Sequence, residues 1–428
     1  MLAAPDAEVV RRDPALPGLA TLLDPEALAD ALQMPPLYLR YLRYKPGTNC
    51  VAGYSFALDA PAVELYAKAF AAGEELKQPR RSEMAQPLGA PRVLPRERVV
   101  LRPFPHDGRL RALRRLAAPE VRRKLLGRVF PDAPADALEL RALRYKPERR
   151  YVAQLRGSDG PLGVLKAHTP AGFLRAAAGA STFHAEGALR LAPLLGRSQR
   201  HGLLLYGWLE GRGLGELLAE PGPPVAAVAA TGAALAVLHR QEVVGLPCLS
   251  RAAEVDAVTT IAADVARVCP AVAEQIQSLA AGAARALALA PAPDRPVHGD
   301  FYAKQVLLVE GAAALLDLDR AARGDPAADL GLFLAHLERD ALRGVLPRAC
   351  LPALRSALLA GYAEHARLPA GSWIDFYLGL SLLLLAPDPF RHRDADWPAR
   401  TAELVQAAAG YLGASRSRLC DFVRRRLA

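Results

Sequence analysis

The chain has 428 residues, 52% of them apolar and 23% charged, which at about 100–200 residues per domain allows two to four cored domains and argues against disorder. No apolar run reaches the ~18–20 residues of a membrane span, and Met1 to Arg12 carries acids without an apolar centre, so neither a membrane partner nor a secretory leader is expected. The formal charge of +10 comes with no nucleic-acid motif, and the cysteines at 50, 248, 269, 350 and 420 are scattered, so no nucleic-acid partner, zinc ribbon or disulfide framework is expected, and a reducing cytoplasm is.

The first feature in chain order is an internal repeat. Leu42-Arg43-Tyr44-Lys45-Pro46, then Val51-Ala52, returns as Leu143-Arg144-Tyr145-Lys146-Pro147, then Val152-Ala153, an offset of 101 from 42 to 143. Each copy reads as strand, proline turn, strand. Each runs on to an apolar stretch holding a lysine, Lys68 in one and Lys166 in the other. Each then reaches a further strand and turn, Val99–Phe104 before Asp107-Gly108 and Leu203–Trp208 before Glu210-Gly211. Two related small α+β modules are expected, at about 36–115 and 138–210.

Arg109 to Arg128 has apolar residues at helical spacing and reads as a connecting helix. From Gly213 the pattern turns helical. Val225–Leu238 is one such stretch, and Ile261–Leu289 is another that Pro270 should break. Strand-like Val306–Val309 and Ala313–Leu316 flank Glu310-Gly311, a hairpin signal, and helical patterning resumes after Asp329.

The chemistry is concentrated in one stretch, Val297-His298-Gly299-Asp300-Phe301-Tyr302-Ala303-Lys304-Gln305-Val306-Leu307-Leu308, followed by Leu316-Asp317-Leu318-Asp319 and Gly324-Asp325-Pro326-Ala327-Ala328-Asp329-Leu330. Phosphoryl transfer needs a carboxylate to orient the attacking hydroxyl, a polar side chain and a second carboxylate for metal, and a cation on the nucleotide phosphates. Protein kinases set the catalytic Asp and the metal-binding Asn five positions apart on one loop, with a further Asp beyond. Asp300 and Gln305 have that separation, and Asp317 lies past the hairpin.

With these residues the segment H-G-D-F-x-x-x-Q-V-L-L, joined to L-D-x-x-x-x-x-x-G-D-P-x-x-D-L, resembles the aminoglycoside phosphotransferase family, protein-kinase-like enzymes acting on antibiotics, choline, sugars and amino alcohols. The resemblance covers about 138–428. It implies an α+β, protein-kinase-like two-lobed fold with a helical C-lobe, preceded by an extra N-lobe-like α+β module. On that footing residues 1–35 form an N-terminal segment, 36–130 a repeat or cap module with the connecting helix, 131–210 the kinase N-lobe and 211–428 the C-lobe.

The resemblance also implies roles. Asp300 would be the catalytic base, and Asp317 would bind Mg2+, with Asp319 a rival. Gln305 would be the second metal ligand, standing where the family usually has Asn. Lys166 would meet the ATP phosphates, and Glu186, in the next predicted helix, would pair with it. Tyr206, Gly207, Trp208 and Leu209 would form the hinge against adenine. Leu235-Ala236-Val237-Leu238-His239 matches a recurrent helical element of the family. There is no Gly-rich phosphate turn; Lys146-Pro147-Glu148-Arg149-Arg150 stands there instead.

Several residues also carry a structural reading. His298 would tie two backbone segments together, His239 would be a packed helix residue, Asp325 and Asp329 would cap helices, and Lys68 would be a vestige of the duplication. Trp373, Phe376 and Tyr377 would be core or one wall of the acceptor pocket, core being the safer reading. The acceptor would be a small polar molecule with a hydroxyl. The extra module resembles the cap of maltokinases and points to a sugar. An aminoglycoside would call for an acidic pocket, for which Glu338, Asp340, Glu364, Asp375, Asp388, Asp394 and Asp396 are candidates. The alternative function is a nucleotide-binding pseudokinase with a regulatory role.

Overall fold

The computed structural model describes residues 2–58, 63–74, 76, 90–130, 139–292 and 294–427, with side chains through residue 414. The expected domain break at 130/131 and the start of the second module at 138 touch 131–138, outside the described residues, as are the side chains of Cys420 and Arg424–Arg426. The chain divides into two compact units. The first is Met1–Leu174 with Leu194–Trp208 and Arg391–Asp394; the second is Arg175–Pro193 with Leu209–Phe390 and Ala395–Ala428.

The first unit opens with three helices, α1 (Ala4–Arg12), α2 (Leu19–Leu23) and α3 (Pro25–Leu32). Five strands follow: β1 (Tyr38–Lys45), β2 (Asn49–Ser55), β3 (Leu65–Phe70), β4 (Arg92–Leu94) and β5 (Val99–Pro103). They form one antiparallel sheet in the order β1-β2-β3-β5-β4. Then come α4 (Leu113–Ala117), α5 (Pro119–Val129), β6 (Glu139–Lys146), β7 (Arg150–Gly157), β8 (Gly160–His168) and α6 (Pro170–Ala180). After the short β9 (Leu189–Arg190) of the other unit, β10 (Leu194–Ser198) and β11 (Leu203–Gly207) complete a second sheet, ordered β10-β11-β8-β7-β6.

The two sheets have the same topology strand for strand, and the repeat reaches the level of register. Lys68 on β3 lies opposite Val51 of β2 and Val100 of β5. Lys166 on β8 lies opposite Val152 of β7 and Leu204 of β11. The turns after β1 and β6 are built alike. Asp13 Oδ2 accepts from the Tyr44 hydroxyl at 2.7 Å and from the Gly47 amide at 2.8 Å. Asp107 Oδ2 accepts from the Tyr145 hydroxyl at 2.7 Å and from the Glu148 amide at 2.8 Å.

The correspondence therefore begins upstream of the sequence repeat, at Asp13 and Asp107. Buried Leu16, Leu19 and Leu22 match buried Leu110, Leu113 and Leu116, and Pro25 at the head of α3 matches Pro119 at the head of α5. The single connecting helix expected from Arg109 to Arg128 is instead this diverged helical head. It is split into α4 and α5 because Pro119 holds Ala118 in an extended conformation. Both copies feed one core, in which Val51 and Tyr66 join Leu113, Phe130, Tyr145, Tyr151, Leu165 and Leu205.

The second unit is mainly helical. It holds α7 (Leu214–Leu217), α8 (Val225–Arg240), α9 (Arg251–Val268), α10 (Ala273–Leu289), α11 (Pro326–Leu342), α12 (Leu351–Ala363), α13 (Gly371–Leu385) and α15 (Trp397–Leu427), with α14 (Asp388–His392) at its border. The break at Pro270 separates α9 from α10 as expected. Helices α8 and α12 meet at glycines. A Cβ on Gly232 would stand 2.1 Å from the Leu358 carbonyl oxygen, and one on Gly361 would stand 2.0 Å from that of Ala229.

Two small sheets interrupt the helices. β13 (Arg295–Val297) pairs with β16 (Ala322–Gly324). β14 (Val306–Val309) and β15 (Ala312–Leu315) form the expected hairpin and lie in the order β12-β14-β15-β9, where β12 is Arg212–Gly213. Among the described residues no helix is long and apolar enough to cross a membrane. The expected α+β class holds, with a mainly helical second unit.

Candidate active site

Within the second unit, β13 ends at Val297 and delivers the loop His298-Gly299-Asp300. Gly299 adopts φ +76, and a Cβ there would sit 2.3 Å from the Arg320 carbonyl oxygen, so only glycine fits. One buried carboxylate holds the loop. Asp329 on α11 accepts from the amides of His298 at 2.6 Å and Gly299 at 2.9 Å, and its Oδ2 lies 3.0 Å from His239 Nε2. Burial alone would raise the Asp329 pKa, but His239 and the His298 amide outweigh it and hold the carboxyl below its usual value. His239 in turn lies 2.9 Å from the Tyr362 hydroxyl through Nδ1.

His298 does not face a reacting group. Its Nε2 lies 2.7 Å from the Leu316 carbonyl oxygen, and its Nδ1 accepts from the Asp300 amide at 3.3 Å. It ties the loop to the end of the hairpin, as the sequence reading held. The Asp300 side chain is about one-third exposed at 34%, with Arg320 Nη1 3.6 Å from one carboxylate oxygen.

The hairpin β14–β15 returns the chain to Asp317, which takes a left-handed conformation at φ +65. There its Oδ2 accepts from the Gln305 side-chain amide at 3.4 Å. Gln305 is buried, and its backbone carbonyl accepts from the Leu316 amide at 2.8 Å. Gln305 and Asp317 are thus together, while Asp319 sits in the 3-10 turn Leu318–Arg320. The pair suits a hard cation. A carboxylate and an amide, which a half-turn presents by its oxygen, are both oxygen donors, and magnesium takes one or two carboxylates plus phosphate and water.

In the first unit Lys166 is buried on β8, with Nζ 5.2 Å from the centre of the Tyr206 ring on β11.

The profile of the phosphotransferase enzyme family (APH) matches residues 164–377, half of the chain, and spans Lys166, the Asp300 loop and the Gln305–Asp317 pair. The chain belongs to this family. The enzyme class expected from the sequence, a small-molecule phosphotransferase, stands with it. Among curated proteins none matches the chain.

Solved structures similar to this phosphotransferase include an apo macrolide 2′-phosphotransferase, MphH, from Brachybacterium faecium (19% identity, 67% of this chain and 97% of that one, TM-score 0.41). A GDP complex of a mutant aminoglycoside 2′-phosphotransferase-IIIa is another (16% identity, 70% and 100%, TM-score 0.48). A choline/ethanolamine kinase family protein from Mesorhizobium loti is a third (17% identity, 70% and 99%, TM-score 0.46).

Two expectations about this phosphotransferase need correction. Glu186 is not on a helix. α6 ends at Ala180, and Glu186 forms an isolated bridge with Leu189, its carboxylate 3.4 Å from His184 Nε2 and 63% exposed. Asp329 is not a cap. Asp325 is, accepting from the Ala327 amide at 3.0 Å, whereas Asp329 lies a turn further on and organises the loop.

The residues expected to form a hinge lie on and just after β11. Tyr206 and Gly207 belong to β11, between β8 and β10, and the Trp208 amide donates to the Leu162 carbonyl oxygen at 3.1 Å. The border between the two units falls between Trp208 and Leu209.

The aromatic cluster is core in part. Phe376 and Tyr377 are buried, while Trp373 Nε1 donates to Asp325 at 2.7 Å, and Arg251 bonds Asp325 at 2.8 Å. Sequence reasoning passed over Glu148 and Asp107. Glu148 carried one signal, a charged residue at a turn position where the first copy has Gly47.

Proposed function

We propose that this phosphotransferase moves the γ-phosphoryl group of ATP to a hydroxyl of a small polar acceptor. The observation that carries the reading is the Gln305–Asp317 contact at the hairpin end, behind a loop on which Asp300 is the partly exposed carboxylate. Asp300 orients the acceptor hydroxyl and takes its proton as the oxygen–phosphorus bond forms and the bond to the β-phosphate oxygen breaks, releasing ADP. Magnesium, held by Asp317 and the Gln305 side-chain oxygen, would neutralise charge on the phosphate oxygens. Lys166 serves the phosphates, and Tyr206, Gly207, Trp208 and Leu209 serve the base, with the Trp208 amide already committed to Leu162. Glu186 keeps a proposed role toward Lys166 only from the loop beyond α6. The scattered cysteines support a cytoplasmic setting.

A neutral acceptor such as a sugar is favoured over a polycationic one. The acids considered for an acidic pocket are largely matched within the second unit. Arg339 pairs with Asp340 at 2.8 Å and Asp388 at 3.5 Å, Arg355 with Asp375 at 2.7 Å, Arg400 with Asp396 at 3.0 Å, and Tyr411 donates to Glu338. The test is mass spectrometry of sugars, amino alcohols and aminoglycosides incubated with the enzyme, ATP and magnesium. A phosphorylated sugar is expected. Phosphorylation of aminoglycosides alone would overturn the acceptor assignment, and nucleotide binding without any phosphorylated product would favour the pseudokinase.

A further inference from the structure

Protein kinases cover the nucleotide phosphates with a flexible glycine-rich loop between the first two strands of the sheet whose third strand carries the phosphate lysine. In the second sheet that place belongs to the β6–β7 turn, Lys146-Pro147-Glu148-Arg149. Its central residue is not glycine, yet Glu148 stands at φ +59, where the first copy has Gly47 at φ +68. A side chain held in this region marks a site that its surroundings over-determine.

Those surroundings come from both copies, the amide being held within its own copy and the carboxylate by the first module. The Glu148 amide donates to Asp107 at 2.8 Å. Its Oε2 accepts from Lys68 Nζ at 3.0 Å and from Arg43 Nη2 at 3.3 Å, and its side chain is only 8% exposed. Lys68 occupies in the first sheet the node that Lys166 occupies in the second. It was expected to be a vestige of duplication. Instead its charge is spent on the turn of the other copy.

We propose that Lys68 and Arg43 are positioning residues for the nucleotide: acting through Glu148, they immobilise the β6–β7 turn in its phosphate-facing form and so replace the glycine-rich loop with a preset one. The first module then sets nucleotide affinity without touching the nucleotide. This rests on the kinase reading above. A preset turn loses less freedom on binding than a flexible loop, so releasing it weakens affinity more than it slows the chemical step.

The test uses the full chain with Lys68→Met, Lys68→Arg and Glu148→Gly. The last removes the carboxylate while relieving the backbone, so its effect cannot come from added strain. A fluorescent ATP analogue with magnesium gives the dissociation constant, and hydrogen–deuterium exchange reports the amides of residues 146–150. Lys68→Met and Glu148→Gly should each weaken nucleotide binding at least fivefold, with kcat at saturating ATP falling less, and should speed exchange in the turn. Lys68→Arg should restore both readouts to within twofold. Unchanged affinity or unchanged exchange in both variants overturns the proposal. So does an equal loss of affinity, kcat and thermal stability, which would mark a merely structural contact. A wild type that binds nucleotide but never transfers phosphate would sink the kinase reading, while the affinity and exchange comparison still decides this one.

Discussion

Asp329 and His239 form a buried pair, with Oδ2 3.0 Å from Nε2 and each side chain 2% exposed, and the same carboxylate holds the amides of His298 and Gly299. Removing one partner of such a pair leaves an uncompensated polar group and costs about 3–5 kcal/mol. Asp329→Asn should therefore lower Tm by several degrees and reduce kcat through a displaced Asp300 loop. The Asp329 carboxyl lies below its ordinary value once folded. Its contribution is present above the unfolded carboxylate pKa of about 3.9 and is lost as pH falls through the folded value. Acid unfolding of the wild type should steepen below about pH 4, and Asp329→Asn should flatten that limb.

His336 on α11 stacks on Tyr302, two residues from Asp300, with ring centres 4.2 Å apart, and its Nδ1 is buried without a hydrogen-bond partner. Burial, then the charges of Arg339 and Lys304, hold its pKa well below 6.5. The unfolded chain therefore binds a proton below pH 6.5 that the folded chain refuses, so stability falls as pH drops, by up to about 1.4 kcal/mol per unit. His336→Phe keeps the stack and removes the proton. Its Tm should change less between pH 7.5 and 5.5 than that of the wild type, and an equal change would refute the assignment.

The proposed metal role distinguishes two carboxylates close in sequence. Asp317→Ala should abolish the magnesium dependence of nucleotide binding, measured by titration with and without the ion, and Asp319→Ala should preserve it. The reverse pattern would exchange their roles. Gln305→Asn restores the usual family residue and should keep turnover within a few-fold. Complete loss would mean that the loop has adapted to the longer side chain.

The paired turn devices can be compared directly. Asp13→Asn and Asp107→Asn each weaken a carboxylate that accepts from a tyrosine hydroxyl and a turn amide, and each should cost about 1–3 kcal/mol in urea unfolding. Only Asp107→Asn should also weaken nucleotide binding, because only its turn carries Glu148.

Much of this was legible in the sequence because strands and catalytic loops leave local marks. The Leu-Arg-Tyr-Lys-Pro repeat announced two sheets with one topology, and the spacing of Asp300, Gln305 and Asp317 announced the loop and hairpin that bring the last two together. The helical head of the repeat was hidden, since its matches, Asp13, Leu16, Leu19, Leu22, Pro25, Glu26 and Leu32 with Asp107, Leu110, Leu113, Leu116, Pro119, Glu120 and Leu126, are scattered among changed residues and stand at an offset of 94 rather than 101. Asp329 resembled a second cap because it lies one turn into α11, and nothing local records that it faces His239, 90 residues away. The Lys68–Glu148 contact joins residues 80 apart, across two copies, and only the shared core makes them neighbours.

The central claim is that Asp300 activates an acceptor hydroxyl toward ATP. The most direct measurement is the initial rate of magnesium-dependent ADP release with a sugar acceptor, wild type against Asp300→Asn, alongside nucleotide affinity. Acceptor-stimulated release should fall by about 10²–10⁴-fold in the variant with nucleotide affinity within a few-fold of wild type. Equal rates in the two proteins would contradict the account.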